Sequence, residues 1–293
     1  MSPHLLLLAV GFGFVTAAVL ALASVGLTLQ FGVTNYVNFA YGAFLTIGAY
    51  LTWQFSVGWG VNFLLSAAIA AVGMGLIAVA TERLVLRQFT RGGSALFFLL
   101  IVTFGLSLIL DNVIQAIWGP EYQLFNIPAA RPLHLGPFLL TTYQVIIIGI
   151  AVAAMVGVHL LLTHTTIGKA MRAMSDDAAL ASVSGIDTQR VTMFTWFMSG
   201  FLAGLAGVAL AVTTASFEPT FGDTFLFIIF AAVILGGIGQ PYGTMLGALI
   251  IGVATEVSAV IIPAEYKGVV AFAILVIMLL IRPQGLIPTR GKA

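Results

Sequence analysis

Uncharged apolar segments of roughly twenty residues recur along the chain, and each is long enough to cross a hydrocarbon core of about 30 Å. We place them at about 5–30, 39–57, 61–81, 95–118, 142–163, 191–213, 224–236, 243–262 and 267–281. Of 293 residues, 60% are hydrophobic and 7% charged, where soluble domains carry about 25% charged residues. A soluble fold of this size has too little interior to hide so much apolar surface. In lipid each segment must satisfy its own backbone hydrogen bonds, which selects helices; barrel strands would alternate over about ten residues. The expected fold is therefore all-α, a polytopic integral membrane protein with about eight to nine spans, some discontinuous. No polar stretch is long enough for a second domain, so residues 1–293 read as one transmembrane domain in a lipid bilayer. The first apolar run has no Lys or Arg ahead of it and reads as a retained span.

Cations orient the chain. Arg83, Arg87 and Arg91 share one loop, Lys169, Arg172 and Arg190 another, and Arg282, Arg290 and Lys292 the tail. Only Arg131 and Lys267 remain of the eleven. That split places the three regions in the cytoplasm by the positive-inside rule, with the C-terminus inside and the N-terminus outside. The net charge of +1 gives no reason to expect nucleic acid, and the absence of cysteine removes disulfides and Cys-ligated metals.

Two uncharged stretches interrupt the pattern. Residues 31–42 hold Asn35, Asn38, Phe39, Tyr41 and Gly42; residues 234–243 hold Gly236, Gly237 and Gly239 ahead of Pro241. Short or Gly/Pro-interrupted segments in corresponding places mark broken helices around a transport site, so these eight residues are candidates to line or gate a pathway. An ordinary tight turn is the competing reading, above all for the second stretch. Tyr41-Gly42 and Tyr242-Gly243 hint at a duplication. Gly200 with Gly204, and Gly243 with Gly247, have the spacing that lets helices approach closely.

Asp111 and Glu256 are the acids placed deepest in the spans. They serve either as a proton relay, as in a stand-alone channel or proton-coupled carrier, or as a helix end at Asp111-Asn112 and an interhelical hydrogen bond at Glu256. His159 and His164 lie off one helical face, which argues against a metal site. No hydrolase motif appears. The loop 214–223, with Glu218 and Asp223, offers a weak candidate surface for an external protein.

The loop 164–190 is the one substantial element on the cation-rich side. Thr165 or Thr166 can cap a first short helix, Asp176 a second over 177–183, and Gly185 can end it in the left-handed conformation. Ile167, Met171 and Met174 on the first helix, with Ala178, Ala181 and Ser182 on the second, form a small apolar surface suited to a groove in a partner. Generic surface helices are the alternative.

At this loop the run Thr166-Ile167-Gly168-Lys169-Ala170-Met171-Arg172-Ala173, with Ala178-Ala179 and Gly185-Ile186, resembles the coupling loop of permease subunits of branched-chain amino acid ABC importers. The resemblance continues through Ser199–Gly207, Gly26–Val33, Asn38–Gly42, Leu235–Gly239 and Arg282–Leu286. Many such permeases have His where this chain has Tyr41, and Glu or Asn near Asp177. Urea and short-amide permeases share the motifs. The resemblance implies a bacterial-type cytoplasmic-membrane subunit, paired with a homologous second permease (a heterodimer), two cytoplasmic ATPases and an extracytoplasmic solute-binding protein. Thr166, Gly168, Arg172, Asp177, Ala178, Ala179 and Gly185 would carry the ATPase coupling. This chain would bind no cofactor, ATP and Mg being used by the ATPases. Its own sequence agrees: a phosphate-binding loop needs Gly-Lys-Ser or Gly-Lys-Thr, and the Gly-Lys pairs here precede Ala170 and Ala293.

Overall fold

The structure, a computed structural model, describes residues 3–91, 96–126, 132–135, 138–282 and 284–287. Arg131, Pro283, Arg290 and Lys292 lie outside the described residues, and with them part of the charge pattern used to orient the tail. In chain order the helices are α1 (Pro3–Thr34), α2 (Tyr41–Trp53), α3 (Phe63–Thr81), α4 (Arg87–Arg91), α5 (Leu96–Trp118) and α6 (Thr142–His164). They continue with α7 (Thr166–Asp176), α8 (Ala178–Val183), α9 (Thr188–Thr214), α10 (Phe221–Gly236), α11 (Pro241–Ser258) and α12 (Lys267–Ile281). Four short strands sit in connections: β1 (Gln123–Leu124), β2 (Pro132–Leu135), β3 (Phe138–Thr141) and β4 (Ser216–Phe217). Single π-helical turns extend α2 over Gln54–Gly58 and α3 over Glu82–Leu86.

Among the described residues, six helical stretches are long and apolar enough to cross a membrane. The other three expected spans are α2, α10 and α11, of 13, 16 and 18 residues. At 1.5 Å per residue α10 covers about 24 Å and α2 about 20 Å before its π-helical turn carries on to Gly58, each less than the hydrocarbon core. The protein is thus an all-helical polytopic membrane protein in which two segments are too short to cross alone.

The chain forms two compact units. One comprises Met1–Val25, Asn126–Gly157 and Phe227–Ala293; the other comprises Gly26–Phe125 and Val158–Leu226. In the first, α1 meets α11 at Gly252, where a Cβ would strike the backbone of Ala17. The hairpin β2–β3 pairs Leu133 with Leu140 and sets Phe138 edge-on to Phe14 and over Gly11. In the second, α2, α3 and α9 pack side by side on small residues. Gly48 lies against Gly204, Gly204 against Ala71, Gly200 against Met74, and Gly207 on the Leu45 carbonyl. Backbone approach of this kind replaces the hydrophobic driving force that lipid does not supply.

Candidate functional site

Helix α1 ends because Asn35 takes φ +58°, a left-handed conformation that Asn tolerates better than most residues. Its N–H donates to Phe31 O at 2.7 Å. The chain then turns back on itself. Asn38 is fully buried; its carbonyl oxygen accepts from Ala40 N–H at 3.0 Å and its amide donates to Gln30 Oε1 at 3.4 Å. Ser199 donates to the same Gln30 oxygen at 3.2 Å, and the Tyr41 hydroxyl donates to Ser199 O at 3.5 Å. Gly26 leaves the space that hydroxyl fills. Asn38 and Tyr41 therefore hold the break in shape from inside the protein. Asn35 is exposed, and Phe39 sets its ring edge-on to Phe104.

Gly42, in the first turn of α2, touches the first turn of α10. A Cβ at Gly42 would collide with Asp223, and one at Gly222 with the Gly42 carbonyl. Gly222 N–H donates to Thr46 Oγ at 3.3 Å. Ser107 donates to the Asp223 carboxylate, 3.2 Å from Oδ1 and 3.3 Å from Oδ2. Asp111, one turn along α5, is 5% exposed and lies against Asp223; among the described residues its Oδ1 has no hydrogen-bond partner. Ser107 is the central residue of α5, so wherever α5 crosses a bilayer, the starts of α2 and α10 sit near mid-depth. Two short helices thus begin beside one another, each with partial positive charge at its N-terminus. Asp223 occupies the favourable position for an acid in such a turn.

Asp111 does not end a helix: α5 runs on to Trp118. Asp223 is not in an outer loop, and the preceding Ser216–Phe217 pairs with Gln123–Leu124, burying Phe217. Gln30, Ser107, Ser199, Gly222 and Asp223 were not among the expected pathway residues. For Asp223 a signal existed, a Gly-Asp pair opening a conspicuously short apolar run. Gln30, Ser107 and Ser199 are marked only by tertiary contact.

The glycines of the second interruption belong to the other unit and form the turn between α10 and α11. Gly237 and Gly239 have φ of +108° and +81°, and Gly236 meets Gly243 backbone to backbone. The carbonyls left open at the end of α10 are satisfied by the segment after α12: Leu286 N–H donates to Leu235 O at 2.9 Å and Ile287 N–H to Gly236 O at 3.2 Å. Gly285, itself at φ +77°, packs on Gly237. In the same unit Glu256 accepts from both Lys267 Nζ, at 2.8 Å to each oxygen, and Thr16 Oγ, at 2.8 Å. Its carboxylate is fully engaged.

Between α6 and α9, α7 and α8 form a capped hairpin. Thr165 Oγ accepts from Gly168 N–H at 3.0 Å and donates to Leu161 O at 2.6 Å. Gly168 rests on the Leu161 carbonyl, where no Cβ fits. The cap of α8 is Asp177, not its neighbour Asp176; it accepts from Ala179 and Leu180 N–H at 2.9 Å each. Gly185, at φ +87°, closes α8, with Ile186 N–H donating to Ala181 O at 3.1 Å, a Schellman arrangement. Of the small apolar surface expected across the two helices, Met171, Met174 and Ala181 are buried and turned inward, while Ala178 and Ser182 are exposed. What faces out is Thr166, Arg172, Asp177, Ala178 and Ala179, with Leu180 and Val183 64% and 88% exposed.

The family described as branched-chain amino acid transport system, permease component, matches residues 9–279. The high-affinity branched-chain amino acid transport system permease protein LivH of Salmonella typhimurium is 31% identical over 292 residues, with 94% of this chain and 93% of that protein covered. The corresponding BraD of Pseudomonas aeruginosa is 28% identical with the same coverage. A probable LivH of Methanocaldococcus jannaschii is 29% identical, covering 91% of this chain and 88% of that one. The chain belongs to the family of permease components of branched-chain amino acid transport systems.

Proposed function

We propose that this chain is the membrane-spanning permease subunit of an ATP-driven importer for branched-chain or related neutral amino acids. It would work in the cytoplasmic membrane beside a second, homologous permease, two ATPase subunits and an extracytoplasmic solute-binding protein. Hydrolysis of ATP, with its Mg, would belong to the ATPases. The observation that carries this reading is the α7–α8 hairpin. It is anchored to α6 through Gly168 and Thr165, runs into α9 through the Asp187 cap, which accepts from Arg190 N–H at 3.0 Å, and presents an exposed apolar tip at Leu180 and Val183. A rigid lever with a greasy end is what an engine on another chain needs in order to tilt α6 and α9. Thr166, Arg172, Asp177, Ala178, Ala179 and Gly185 would form or shape the surface that engine grips.

The pathway would pass the start of α2, where Gly42 meets α10 and Phe39 meets α5, with Asn35, Asn38 and Tyr41 fixing the break and Gly236, Gly237 and Gly239 fixing the second turn. Unwound backbone beside half-helix starts offers hydrogen bonds without rings of charge, which suits a solute of no net charge. The test is reconstitution of the complete complex with its binding protein. Labelled L-leucine should accumulate only with ATP, and Ala179→Glu should abolish accumulation while leaving the chain folded. Accumulation at the wild-type rate in Ala179→Glu would remove the hairpin from the mechanism.

A further inference from the structure

A cavity of about 340 Å³ opens beside the first turn of α9, within the size range of small-ligand pockets, about 300–1,000 Å³. Its walls carry opposite charges that do not neutralise one another. Glu82, in the π-helical turn after α3, is 6% exposed, and among the described residues its Oε2 has no hydrogen-bond partner. Tyr36, 4% exposed, stands beside Glu82; its hydroxyl interacts with that carboxylate from beyond ordinary hydrogen-bond length and has no nearer partner among the described residues. Arg83 and Arg87 line the same cavity. Among the described residues neither closes an ion pair, although the Arg87 charge reaches Glu82. A buried carboxylate with only a distant hydroxyl and guanidinium beside it is costly. Water can satisfy its lone pairs but brings no countercharge. A ligand with an ammonium a few ångströms from an anionic group satisfies both walls at once.

We propose that this cavity is a binding site for a compact zwitterion, its ammonium on Glu82 and the Tyr36 hydroxyl, its anionic group on Arg83 and Arg87. Two sources share that chemistry: a free α-amino acid and the headgroup of an ethanolamine phospholipid. The amino-acid source rests on the function proposed above. The cavity wall includes Thr188 and Thr192, so an occupant touches the turn into which the α7–α8 hairpin runs.

The test uses the assembled complex, without binding protein, in nanodiscs made with or without phosphatidylethanolamine. Binding of tritiated L-leucine, L-alanine and L-proline is measured, with leucine methyl ester and 4-methylpentanoate as competitors lacking one charge each. Retained lipid is identified by native mass spectrometry. The expected result is saturable binding of a zwitterion, competed poorly by either single-charge analogue and weakened at least tenfold in both Glu82→Gln and Arg87→Gln. Retention of phosphatidylethanolamine by the wild type alone would equally support the site and name lipid as its occupant. Binding of neither class, or binding unchanged in both variants, would overturn the proposal. If Glu82→Gln does not fold, Arg87→Gln and Tyr36→Phe carry the same comparison. Uptake of L-leucine by the wild-type complex is measured alongside. Its failure counts against the transport reading, while the site is still judged on the other amino acids and the lipid.

Discussion

Gly42 and Gly222 face each other across the starts of two short helices, so closely that neither position has room for a Cβ. Around them Thr46, Ser107 and Asp223 supply the hydrogen bonds that join α2, α5 and α10. This junction fixes where both helices begin, and hence the depth at which the backbone leaves helical form.

Gly42→Ala and Gly222→Ala should each force the helix starts apart. Overpacking of a tight contact costs about 1–3 kcal/mol, and here backbone meets backbone, so the upper end is expected. Thermal unfolding in detergent should show a clear drop in Tm, and uptake should fall more than tenfold. Wild-type uptake in Gly42→Ala would mean that the crossing is looser than described.

Asp111→Asn should leave uptake within about twofold and raise Tm. Two carboxyl groups buried side by side repel when both are ionised, and Asp111 makes no hydrogen bond through Oδ1. Ser107→Ala should cost about 1 kcal/mol, the net worth of a typical hydrogen bond. Loss of transport in Asp111→Asn, together with flux driven by a pH gradient in the absence of ATP, would instead identify a proton-coupled carrier.

Leu180→Glu and Val183→Glu should express and unfold like the wild type, because both side chains are exposed. Co-purification of the ATPase subunits should be lost. Asp177→Ala should cost about 1 kcal/mol of local helix stability through its missing cap and weaken coupling without removing it. Gly168→Val should reduce the yield of folded protein, since a side chain there would strike the Leu161 carbonyl of α6.

Glu256→Gln should destabilise the unit containing α11 and α12 by about 1.5–3 kcal/mol, the worth of hydrogen bonds to a charged group. Transport should persist in the protein that remains folded. A double-mutant cycle with Lys267→Met, read by thermal unfolding, should return a coupling of the same sign and smaller size.

The long spans were legible because twenty apolar residues in a row admit one solution in lipid. The hairpin ends were legible too: Thr165 ahead of a helix-forming run and Gly185 at its close are local signals. Other features depend on contacts far apart in sequence. Asp111-Asn112 resembles a helix end, yet the helix runs on to Trp118, and the acid that lies against Asp111 is Asp223, 112 positions on. Asp176 and Asp177 are equally good caps on paper; backbone geometry at 177 alone, extended at φ −155°, selects the second. The apolar face of α7 was visible as a stripe, but a stripe does not say whether it meets a partner or its own chain.

The closing of the α10–α11 turn by residues 286 and 287 has a consequence for biogenesis. Leu286 is made 51 residues after Leu235, the residue whose carbonyl it satisfies. Both α11 and α12 must therefore emerge and insert before this joint can lock. Until then the Leu235 and Gly236 carbonyls lack these two donors, and a chain stalled after Ile281 would carry an unfinished corner.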